Sequence, residues 1–65
     1  MCEANVYLLD EDGNEILFLE AVDKILPEGD QLCLENIFYE KKYINAKIKE
    51  MALVDHRIVI ERIRA

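Results

Sequence analysis

Ala4-Asn5-Val6-Tyr7-Leu8-Leu9-Asp10-Glu11-Asp12-Gly13-Asn14-Glu15-Ile16-Leu17-Phe18-Leu19 is the stretch that decides the fold class. Its first six residues set Ala4, Val6 and Leu8 against Asn5, Tyr7 and Leu9, the period of two that sends alternate side chains to opposite faces of a strand. Gly13 and Asn14 then accept the positive φ of a tight connection, so the apolar run from Glu15 to about Val22 returns as the second strand of a hairpin. The acids of this turn look like a calcium loop without its spacing. An EF-hand needs glycine at its sixth position and glutamate at its twelfth, whereas Gly13 is fourth from Asp10 and the twelfth residue is Ala21.

Beyond the hairpin the same pattern continues. Pro27-Glu28-Gly29-Asp30 reads as a turn, and Gln31-Leu32-Cys33-Leu34-Glu35 alternates after it, with Leu32 and Leu34 facing inward. From Tyr43 to Val54 a strand opens with Ile44, Ala46 and Ile48 on one face and Asn45, Lys47 and Lys49 on the other. Asp55-His56 is a two-residue connection, and Arg57 to Ile63, rich in Ile58, Val59 and Ile60, forms the last strand. Helices over Leu32 to Lys42 or Lys47 to Leu53 are the competing readings. Five short strands in one continuous domain, residues 1–65, predict an all-β protein: a small antiparallel barrel or roll of SH3-like size, since closure removes exposed edges.

A 65-residue chain buries only about 60% of the surface its unfolded form exposes, so it is marginal alone. Tyr7, Leu9, Leu17, Leu19 and Val59 exceed what one such core can cover, and a second copy of the chain is the simplest cover. A homodimer is therefore expected. Two cysteines, Cys2 and Cys33, make at most one bridge, no apolar run reaches the ~20 residues of a membrane span, and no secretory pattern follows Met1. A soluble chain in the reducing cytoplasm is the expectation.

The formal charge of −6 argues against a dedicated nucleic-acid binder, whose affinity rests on a basic surface. The charge is unevenly spread, with Lys24 the one base before residue 37 and seven bases after it. Phe38, Tyr39, Lys41, Lys42 and Tyr43 interleave aromatic and basic side chains as a single-strand platform does. A small RNA-binding barrel using Phe38 to Tyr43 and the C-terminal bases is thus the alternative, weighed against a solvated, edge-protecting segment. Glycine-rich phosphate loops and nucleophile–base–orienter sets are missing from the sequence, which points away from an independent enzyme.

Cys2 follows the initiator methionine directly, so the Met1 amine, the residue-2 nitrogen and the Cys2 thiolate fall within chelating reach of one another. Two termini meeting on a two-fold axis complete a four-coordinate site. Square-planar nitrogen and sulfur ligation suits Ni(II) or Cu(II), and tetrahedral ligation suits Zn(II). Cys33 between two leucines reads as a small packed or half-exposed thiol, and His56 beside Asp55 as a solvated turn residue.

The opening Met1-Cys2-Glu3-Ala4-Asn5-Val6-Tyr7-Leu8, in a chain of this length, resembles the CooT family of nickel-binding accessory proteins for carbon monoxide dehydrogenase maturation. The likeness extends through the acidic Gly13 turn, the apolar strand after it, the charged middle and the end in Ile60-Glu61-Arg62-Ile63. It implies a small β-fold forming a homodimer that binds Ni(II) through Cys2, with terminal backbone nitrogens as co-ligands: the Met1 amine where Met1 is retained, the Cys2 nitrogen where it is removed. Such a protein serves as a carrier or insertion factor for a nickel enzyme and not as a catalyst. Cys33 and His56 match no family motif, and no function passes to them.

Overall fold

A computed structural model of the chain describes residues 3–63. Six strands, β1 (Ala4–Leu9), β2 (Glu15–Glu28), β3 (Gln31–Asn36), β4 (Lys41–Ile44), β5 (Ala46–Ala52) and β6 (Arg57–Arg62), form one sheet in the order β4-β3-β2-β1-β6-β5. The all-β expectation holds, and neither competing helix forms. Of the two expected shapes the sheet takes the roll and is not closed into a barrel. Two details differ: β1 and β6 run parallel with Tyr7 opposite Val59, and the strand expected from Tyr43 to Val54 is two strands broken at Asn45.

That break explains the shape. β4 and β5 are successive in the chain yet lie at opposite edges of the sheet, so the sheet must curl until its edges meet at Asn45, whose carbonyl accepts from the Ile63 amide at 3.0 Å. The first and last strands then become central neighbours. The intervening chain makes the long crossover a parallel pair requires.

β2 supplies the curl. It was expected to end near Val22 but runs on to Glu28, pairing with β1 through its first half and with β3 through its second. Between the halves Ala21 takes a left-handed conformation, φ +55°, flanked by register shifts in both ladders. A bulge of this kind bends a strand and increases its twist. Past Val22 β1 has ended, so the second half of β2 lacks a neighbour on one side, the setting in which a strand tolerates Pro27.

The bend folds Leu32, Leu34 and Ile44 over Val6, Leu19, Ile58 and Ile60, and these form one core with Ala4, Val22 and Ala46. Leu32 and Leu34 face inward as read from the sequence, and Ile44, Ala46 and Ile48 do the same. Asp10 holds the first turn, its Oδ1 accepting from the amides of Asp12 (2.9 Å) and Asn14 (2.8 Å), so this carboxylate serves the backbone. Asn36 organises the β3–β4 loop. Only 1% exposed, it accepts at Oδ1 from the Phe38 and Glu40 amides and donates from Nδ2 to Glu40 at 2.7 Å. Those local bonds compete with helix formation, which is why Leu32 to Lys42 stays extended and then turns.

Candidate metal-binding terminus

Met1 and Cys2, the metal ligands expected from the sequence, lie outside the described residues. The structure does define how the chain leaves them. β1 enters the middle of the sheet at Ala4, and three elements meet at that entry: the start of β1, the bulge of β2 and the turn Leu53-Val54-Asp55-His56 between β5 and β6. His56 Nδ1 lies 3.0 Å from the Glu3 carbonyl oxygen, and the His56 carbonyl accepts from the Asn5 amide at 2.9 Å. Asn5 Oδ1 in turn accepts from the Ala21 amide at 3.1 Å. Glu3, Asn5, Ala21 and His56 line an open cleft of about 210 Å³.

Because a carbonyl oxygen only accepts, the Nδ1 facing it carries the hydrogen. The other ring nitrogen, Nε2, points away from the contact. His56 adopts φ +55° here, the left-handed region that histidine enters more readily than most residues. Sequence reasoning places His56 in a solvated turn and misses its reach to Glu3, 53 positions earlier. The available signal was a histidine at a turn position where glycine or asparagine is the ordinary choice.

Among the described residues no group of three or more His, Cys, Asp or Glu side chains is placed to hold a metal ion. Cys33 is a buried free thiol on the outer face, opposite Leu26 on one side and Tyr43 on the other, in keeping with a packed thiol. Tyr43 has its pKa raised above the ordinary value, first by its hydrogen bond to the Cys33 thiol and by charge there, then by partial burial and the nearby Glu28 and Glu35. A second open cleft, about 910 Å³, lies at the far end of β1, and the Lys47–Glu61 ion pair, 3.9 Å across the β5–β6 ladder, is part of its lining.

The aromatic and basic segment does not assemble as one platform. Lys42 opposes Leu34 on the core side, its Nζ 4.8 Å above the Phe18 ring and donating to the Phe18 carbonyl at 2.8 Å. Tyr43 stands on the opposite face, and Phe38 and Tyr39 sit in the loop before β4. Lys24 is paired with Glu35, and Arg57 both pairs with Glu15 and stacks 4.4 Å from the Tyr7 ring.

Fold and entry geometry together define a small single-sheet β module whose central strand β1 is tied at its start to the β2 bulge and to the β5–β6 turn. Residues 1–61 match the family model described as CO dehydrogenase accessory protein CooT. A crystal structure of a CooT protein from Carboxydothermus hydrogenoformans is similar over 97% of this chain and 100% of its own, with 52% identity and a TM-score of 0.89. No curated protein matches the chain. The chain belongs to the CooT family, which links it to the carbon monoxide dehydrogenase system in an accessory role. No helix among the described residues is long and apolar enough to cross a membrane.

Proposed function

We propose that this chain is a nickel-binding accessory protein, a carrier or insertion factor in the maturation of a nickel enzyme such as carbon monoxide dehydrogenase. It works in the cytoplasm, as a homodimer, without catalysing a reaction itself. Ni(II) is its cargo, held by the Cys2 thiolate and by terminal nitrogen from Met1 or Cys2, with the termini of two protomers sharing one ion. The observation that carries this reading is the family match reaching back to residue 1, across the Met1-Cys2 terminus. The entry geometry agrees with it, since Glu3 is anchored one residue after Cys2.

Titration of the purified chain with Ni(II) tests it. The wild-type protein is expected to bind one ion per two chains with thiolate-to-metal charge-transfer absorption, and Cys2→Ser to lose both while melting at the same temperature. Cys33→Ser, altering a thiol away from the entry, keeps them. Binding weakens as pH falls below about 7, because a thiol near 8.5 and an α-amine near 7.7–8.0 must both lose protons to coordinate. Retention of tight binding by Cys2→Ser, or its loss in Cys33→Ser, overturns the assignment.

A further inference from the structure

We infer that His56 is a positioning residue for the N-terminus: its imidazole clamps the Glu3–Ala4 peptide to the β5–β6 turn and so fixes the point at which the proposed metal-binding terminus joins the sheet. The inference rests on the proposed function for its use, but the clamp itself is a matter of geometry. One residue grips the start of β1 on both sides of Ala4. Its Nδ1–H donates to the Glu3 carbonyl at 3.0 Å, and its own carbonyl accepts from the Asn5 amide at 2.9 Å. The latter bond is available to any residue at position 56, whereas the former needs a side-chain donor at the Nδ1 position.

The conformation at His56 makes the choice of residue informative. At φ +55° glycine is free of strain, so a side chain here is an added cost that a turn alone does not require. What the imidazole adds is the bond to Glu3. Asn5 is held from the other side by the Ala21 amide at 3.1 Å, so the entry of β1 is tied to two elements far away in the chain. A terminus left free would have to be ordered at the moment of binding, and ordering beforehand removes that cost from the affinity.

Four proteins decide the matter: wild type, His56→Ala, His56→Asn and His56→Gly, each checked for folding by its thermal melt. Asparagine places an N–H donor where Nδ1 stands and tolerates the left-handed φ, whereas glycine accepts the φ but offers no donor. The expected order is wild type and His56→Asn binding Ni(II) alike, with His56→Ala and His56→Gly about two- to tenfold weaker, the size of one net hydrogen bond. The charge-transfer spectrum should be the same in all four. Equal binding by His56→Ala, or full recovery in His56→Gly, overturns the clamp. A spectrum altered by every substitution also overturns it, by making His56 a ligand. Amide hydrogen exchange at Ala4 and Asn5 in the metal-free proteins gives an independent reading, faster in the alanine and glycine variants and unchanged in the asparagine one. Should the wild-type chain take up no Ni(II), the proposed function falls, and the exchange rates alone decide the clamp.

Discussion

Cys33 and Tyr43 oppose each other across β3 and β4, and the phenol's bond to the thiol raises its pKa from the ordinary 10.0. The folded chain therefore keeps a proton that the unfolded chain gives up. Stability from this contact is whole below the ordinary phenol value and is lost as pH rises through the folded one. Absorbance at 295 nm should show a phenolate step above the usual range, absent in Tyr43→Phe and moved back down in Cys33→Ala. Denaturant midpoints in the wild type should likewise fall above pH 10 more than in Tyr43→Phe. A wild-type titration lacking a raised step would mean that the thiol and phenol do not meet. The alternation of Cys33 with two leucines reads as a small packed or half-exposed thiol, and the structure buries it. Its partner was not visible, since the register of β4 against β3 depends on the turn that Asn36 builds. For the same reason the contact of His56 with Glu3 was out of reach: it depends on the parallel pairing of β1 with β6, which no local pattern encodes.

At the scale of the element, β2 is where local reading and structure part. Its bend has neither glycine nor proline to announce it, only Ala21, and the apolar run weakens into Asp23-Lys24 just where the strand changes partners. The left-handed alanine persists because its neighbours use it, its amide donating to Asn5 Oδ1 at 3.1 Å and its carbonyl accepting from the Ile37 amide at 3.0 Å. That conformation costs an alanine roughly 1 kcal/mol or more, while glycine pays only the extra entropy of its unfolded state. Ala21→Gly is accordingly expected to raise the urea midpoint, with a net gain of about 0.5–1 kcal/mol, and Ala21→Val to lower it. A glycine variant less stable than wild type would show that the methyl group packs usefully at the bulge. The alternation of β1, β3 and β5 was legible, though not the break that separates β5 from β4. In β1 and β5 the core-facing row is buried or half-buried against a wet or half-covered row, and in β3 Leu32 and Leu34 are buried with only Cys33 buried on the other face; burial of one face is what fixes a period of two.

For the whole molecule, the excess of apolar surface is redistributed and not abolished by folding. Leu19 and Val59, counted from the sequence among residues one core could not cover, are buried within the single chain at 5% and 2% exposure, because the bend of β2 and the parallel pairing of β1 with β6 enclose more than a flat hairpin array would. Leu17, Leu26 and Tyr43 remain 52%, 51% and 57% exposed. Leu17 lies opposite Tyr7, and Leu26 and Tyr43 flank Cys33 on the outer face. Apolar side chains presented this way on a small domain favour a second copy as cover. Light scattering at tens of micromolar should therefore give twice the 7.6 kDa chain mass, and Leu17→Glu with Leu26→Glu should return the monomer while the far-ultraviolet spectrum stays that of the folded sheet. If two termini share each ion, that double variant must also lose the stoichiometry of one Ni(II) per two chains. A wild-type chain that scatters as a monomer, with and without Ni(II), would remove both the paired interface and the shared site, leaving any bound metal to the ligands of one terminus.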